Sequence, residues 1–281
     1  MKKRKKKRST SQKAFNGRRR RRRSKDAYGT SFETLEKRNL LAVITVSTAA
    51  DVVDSNGFTT SDLIAAPGFD GAISLREAII AAERTNGDHT INFDPATFNG
   101  EAADVIRLQS ALTIQDSIVI DAGDLGVVVS GDTFGNDALV ANSFISDVEA
   151  SEIAGTFDDN TDGVLVFTDF LSQNVTITGL TITGGNSSST GGGVRVEDNP
   201  FITIRESTIA GNRAAFSGGG IHSDDGSVRI FDSSISGNVA NNPNSFTSAL
   251  GGGVASDFGT LSVYSSTISD NVAHGLSLIH I

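Results

Sequence analysis

The stretch DDNTDGVLVFTD, residues 158–169, spaces its polar side chains as a loop that holds a hard cation does. Asp158, Asn160 and Asp162 alternate as oxygen donors, Gly163 permits a sharp turn, Val164 offers its carbonyl, and Asp169 stands at the twelfth place, where a carboxylate closes such a loop. Calcium is the ion this pattern fits. Asp169 is shorter than the usual glutamate, and strand-like residues rather than a helix follow Gly163, so an acidic surface loop is the competing reading. A second set of carboxylates, Glu197, Asp224 and Asp257, falls three residues after Val194, Ile221 and Val254, each of which follows a Gly-Gly-Gly triplet. Stacked like charges repel, so this acidic column is predicted to be exposed, the alternative being a bridging cation. A third group, His222, Asp224, Asp225 and Arg229, holds the residue types needed for acid–base work on a glycan, although HSDDGS also reads as a plain hydrophilic turn.

These candidates need elements to position them, and composition bounds what those elements are. The chain has 281 residues and no cysteine, which excludes disulfides, thiolate zinc sites and a cysteine nucleophile. Of its 24 Lys and Arg, 17 lie in residues 1–42; beyond them 7 basic residues face 30 acidic ones, a net charge of −23. Lysine is absent after Lys37, which removes a lysine base from any lyase mechanism. A body so acidic repels nucleic acid and attracts divalent cations.

The positions that carry the acidic column belong to a repeat. Glycine triplets begin at Gly191, Gly218 and Gly251, alternating apolar strands follow, and isoleucines recur at 182, 209, 235 and 268, spaced by 27, 26 and 33 residues. Asn212, Asn238 and Asn271 each follow the last three of these isoleucines by three positions. A period of this size marks a solenoid. Three strand-length segments per period predict a coil with three faces, stacked on the next at about 4.8 Å. Inward asparagines, one per coil, then form a ladder bonded to each other and to the neighbouring backbone. The triplets are read as backbone needing positive φ or close approach, since neither GxGxxG nor the Walker pattern is present.

Ahead of the repeats, SLREAIIAAERTNG predicts one amphipathic helix of about three turns: Ser74 and Glu77 form a capping box, Leu75, Ala78, Ile79 and Ala82 share a face, and Asn86-Gly87 supplies the stop. Capping accounts for Glu77, and Arg76 is a solvated or salt-bridging helix residue, so no chemistry is assigned to them or to His89. Such a helix shields the open end of a solenoid. This stretch resembles the CSLREA domain that opens many bacterial parallel β-helix proteins, Ile73 standing where that family has cysteine. The phrases GLTITGG, GGGI and STISDN look like the repeats of right-handed parallel β-helix proteins, including the polymorphic outer-membrane type. That resemblance covers residues 104–275 and implies a mainly β, right-handed, pectate-lyase-like single-stranded solenoid with an N-terminal strand-helix cap. The handedness agrees with the general bias of parallel crossovers.

The segment FETLEKRNLLA, after a dense basic run, resembles the LEPRxLL-type sorting segment of bacterial surface proteins through Leu35, Glu36, Arg38, Leu40 and Leu41, with Lys37 in place of proline. The competing reading takes LLAVITVSTAA as the apolar core of a signal peptide; its alternation favours a strand instead. Both imply export, and no stretch reaches the length of a membrane-spanning helix. The expected organisation is therefore a basic tail with sorting segment (1–42), a cap (43–103), β-helix repeats (104–275), and a final LSLIHI (276–281) that breaks the repeat and resembles adapter read-through at the end of a truncated chain. The expected function is a non-catalytic extracellular or outer-membrane surface role: structural, adhesin-like, or binding cell-surface glycans or envelope components. The alternative is a lyase or hydrolase acting on an acidic glycan.

Overall fold

The computed structural model describes residues 42–274 apart from 58, 101–104, 134–162, 169–172 and 242–248. The basic tail, most of the sorting-like segment, Asp158, Asn160, Asp162, Asp169 and residues 276–281 lie outside the described residues.

The chain winds as a parallel β-helix whose strands assemble into four sheets of seven, six, five and four strands, all paired in parallel. The long sheet is built, in order, from Val43–Val46, His89–Phe93, Ile118–Asp121, Asn174–Thr178, Phe201–Arg205, Ser227–Phe231 and Thr260–Tyr264. Its strands form because apolar residues alternate with Thr, Ser, Asn or Arg, so one side of each strand is buried and the other wet, except in Thr260–Tyr264, whose Leu261 and Val263 stay 38% and 37% accessible. Unslipped register stacks like on like: Val175, Ile202 and Val228 form one inward column, and Ile177, Ile204 and Ile230 another, with at most 1% of any of these side chains accessible. Burying each contributes roughly 1.5–3 kcal/mol, which is the main stabilisation of a fold without disulfides.

The recurrent isoleucines occupy the six-stranded sheet, where Ile182, Ile209, Ile235 and Ile268 pair in register. The residues after each glycine triplet build the five-stranded sheet. A fourth sheet was not expected. Its strands, Asn186–Ser187, Arg213–Ala214, Val239–Asn241 and Val272–His274, are only two or three residues long, too short to show an alternation, and so the three-faced coil becomes a four-sided one.

Residues 43–103 are continuous with the repeats. Val43–Val46 and His89–Phe93 are the first two strands of the long sheet, so the VITV part of the apolar stretch is a strand there, and its Ile44 and Val46 join the common core. Between them lie two helices, α1 (Thr60–Ala65) and α2 (Leu75–Glu83), where one was expected. The first has six residues, too few for a readable period; Thr59 caps it by accepting the Asp62 N–H. The second has the reciprocal capping box of Ser74 and Glu77, and it ends at Glu83, three residues before Asn86, where Thr85 Oγ1 donates to the Ala81 carbonyl. Glu77 does more than cap, since its Oε1 also accepts the Asp54 and Ser55 N–H groups at 3.0 and 2.8 Å. Arg76 pairs with Asp51 at 2.7 Å and donates to the Ser110 and Ala111 carbonyls, tying α2 to the first coils. Among the described residues no helix is long and apolar enough to cross a membrane.

Candidate functional site

Three kinds of side-chain column run along the helix axis, and each follows from which way a repeated position points. The first is inward. Asn212, Asn238 and Asn271 superpose at the corner after the isoleucine strand. Asn238 Oδ1 accepts from the Asn212 backbone N–H (3.0 Å) and from Asn212 Nδ2 (2.9 Å), while Asn238 Nδ2 donates to the Ile209 carbonyl at 2.9 Å. Asn271 repeats the pattern on Asn238 and Ile235. Asn212 closes the series by donating to the Ile182 carbonyl and accepting from Gly185 N–H.

The glycine triplets make room for this ladder. Gly191, Gly218 and Gly251 adopt φ of 65°, 62° and 57°, where a side chain is strained. The third glycine of each triplet lies against an asparagine: a Cβ on Gly220 would come within 2.9 Å of Asn238 Nδ2, and one on Gly253 within 2.7 Å of the Asn271 carboxamide. Triplet and asparagine are thus one structural device, with every amide polar atom on Asn238 satisfied.

A second ladder was missed by sequence reasoning. Ser207, Ser233 and Ser266 donate to the carbonyls of Arg205, Phe231 and Tyr264 at 2.6–2.7 Å, and Ser233 and Ser266 accept the backbone N–H of Ser207 and Ser233 at 3.1 Å. The residue before each serine, Glu206, Asp232 or Ser265, sits at φ of 48–50°. The signal is present as Ser-Ser/Thr-Ile ahead of every ladder asparagine, but serine is so common in turns that the position is not distinctive by itself.

The outward acidic column stands on the five-stranded sheet, one place beyond the paired Val196, Ser223 and Ser256. Asp257 is exposed, but Glu197 and Asp224 are half-buried, because a second outward column of Arg195, His222 and Ala255 stands beside them. Arg195 Nε lies 3.2 Å from Glu197 Oε1, and His222 Nε2 lies 3.9 Å from Asp257 Oδ2. Burial pushes the His222 pKa down from 6.5, opposed by the charges of Asp257, Asp224 and Glu197 and assisted by Arg195. His222 is only 4% accessible, and its Nδ1 has no hydrogen-bond partner among the described residues. Of the remaining candidates, Asp225 is an exposed turn residue at φ 58°, and Arg229 belongs to the long sheet, making no hydrogen bond or ion pair with the other three. Among the described residues no three His, Asp or Glu side chains gather closely enough to hold a metal ion.

For the Asp158–Asp169 loop, only Gly163 and Val164 of the named positions are described. Gly163 has φ 86°, as a sharp turn requires. The Val164 carbonyl already accepts the Leu112 N–H at 2.9 Å, and Val164 N–H donates to Gly192, so this residue is a rung of the solenoid; a cation there would share that carbonyl.

The third kind of column lies on the outward face of the long sheet. Asn174, Phe201, Ser227 and Thr260 align; so do Thr176, Thr203, Arg229 and Ser262; and so do Thr178, Arg205, Phe231 and Tyr264. Arg205 Cζ stands 4.3 Å from the Phe231 ring centre, and Phe231 stacks on Tyr264 with centroids 4.8 Å apart and planes 11° from parallel. Across all seven strands, Asp121 is the one carboxylate at an outward position. Phe201 is 46% and Tyr264 51% accessible, so this face meets solvent with aromatic, hydroxyl and guanidinium groups. No protein-family model matches the chain, and neither a curated protein nor a solved structure does.

Proposed function

We propose that this chain is an exported bacterial surface protein with a non-catalytic role, adhesive, structural or glycan-binding, exercised along an exposed face of the solenoid. The outward face of the long sheet is the observation that carries the reading: it is continuous over seven strands, its ring and guanidinium groups are presented to solvent, and its regular spacing matches an extended partner rather than a small one. The sorting-like tail and the resemblance to outer-membrane repeats support export. The test is location: antibody labelling of intact native cells should reach the protein, and recovery only from the cytoplasmic fraction would overturn the proposal.

The alternative, a lyase or hydrolase on an acidic glycan, is favoured by one observation, the buried His222, its pKa lowered by that burial, beside Asp257 and Arg195. Turnover of an acidic polysaccharide that His222→Gln or Asp224→Ala abolishes would establish it. Calcium binding by the Asp158 loop is a separate proposal: thermal unfolding should shift upward with calcium and lose that shift in Asp162→Ala, whereas identical curves with calcium and chelator would remove the site.

A further inference from the structure

We infer that the ligand of the long-sheet face is an acidic polysaccharide, held by Arg205 and Arg229 and lying along the helix axis. The inference rests on the proposed surface-binding role and names its partner.

Charge is segregated on this body. It carries seven arginines against thirty carboxylates, yet two arginines and one carboxylate, Asp121, fall on the outward positions of the long sheet. Both arginines are exposed, and among the described residues neither makes an ion pair. Arg205 Cζ stands over the Phe231 ring, a contact that restrains the guanidinium, whose forked N–H groups suit a two-point contact with a carboxylate or sulfate. Arg229 pairs with Thr203, so it stands one strand over and two residues back from Arg205, a diagonal of about 8 Å.

What surrounds the two cations selects among polyanions. Two arginines neutralise only two phosphates, far short of the six or more contacts that nucleic-acid binding draws on, and the columns around them carry hydroxyl, amide and aromatic groups. Those groups suit a partner with sparse charge and many hydroxyls. Acidic residues border the face in the turns on both sides, Asp198 and Asp225 before the strands, Glu206 and Asp232 after them. A polyanion laid along the strands would meet these carboxylates, whereas one crossing the strands, down the columns, meets one carboxylate, Asp121, in register with Thr178 and two coils from Arg205.

The test uses the full chain with Tyr28→Phe. The protein has two tyrosines and no tryptophan, so Tyr264 is then the one tyrosine left and reports from within the face. Oligogalacturonate should change that emission saturably, while dextran of equal length should not. Arg229→Gln, which disturbs no ring contact, should weaken binding about tenfold, and adding Arg205→Gln should weaken it about tenfold again. Unchanged affinity in the double variant, or no response to oligogalacturonate, would overturn the proposal. Equal binding of dextran would overturn the acidic partner while leaving a glycan-binding surface in place, and a stronger response to duplex DNA would replace the partner class. Cytoplasmic location of the native protein would instead remove the surface role on which the inference rests.

Discussion

The asparagine ladder and the acidic column are built by the same operation: one polar side chain per coil, stacked in register by parallel strands. Their fates are opposite. Asn238 is fully buried and bonded through every polar atom, whereas Asp257 stands in solvent and Glu197 leans on Arg195. The reason lies in the groups themselves. A carboxamide both donates and accepts, so identical copies satisfy each other indefinitely; a carboxylate only accepts, so a stack of them needs cations or water. A repeated polar residue in a solenoid is therefore a core element when it can pair with its own image and a surface element when it cannot.

Converting one column into the other tests this most severely. Asn238→Asp keeps the shape but removes the donors to the Ile209 carbonyl and to Asn271 Oδ1 and buries a charge, and should cost about 4 kcal/mol at pH 7. Burial raises the pKa of the new acid, so the folded state binds its proton more tightly and stability should recover as pH falls; denaturant unfolding at two pH values checks both points. Asn238→Ala removes the charge but still strands the Asn212 donors and should cost about 3 kcal/mol, independent of pH. The serine ladder, with one bond donated and one accepted per residue, should respond less: Ser233→Ala is expected to lose about 1 kcal/mol.

The outward columns should be softer. Since burial lowers the His222 pKa below 6.5, the unfolded chain binds that proton more tightly, and stability should fall as pH drops from 6.5. His222→Gln should flatten this acid-side loss, and an unchanged pH profile would show that the neighbouring carboxylates offset the burial. Asp224→Asn should change stability by less than about 0.5 kcal/mol, the smallest effect of the series, measurable as a near-identical melting curve.

Much of the architecture could be read because a solenoid writes its geometry into its period. Isoleucines 27, 26 and 33 residues apart are the ones that pair, and Ser74 and Glu77 carry their capping box in their spacing. Elements shorter than one period of alternation were illegible: the two-residue strand Arg213–Ala214 and the six-residue α1 hold too few residues for either pattern to show. The grouping of His222 with Arg229 was misleading for a related reason, since seven residues along a coil carry the chain round a corner onto another sheet.

The residues alone determined the solenoid, its phase and the ladder, because these depend on local alternation and on a period that any stacked coil must obey. Tertiary structure decided which way each repeated position faces its neighbours. It placed Arg195 and His222 beside the acids and left two half-buried, folded the cap's strands into the long sheet, and lined up Arg205, Phe231 and Tyr264 from three coils. The last three residues stand 26 and 33 positions apart, and only the completed stacking of one coil on the next brings them within reach.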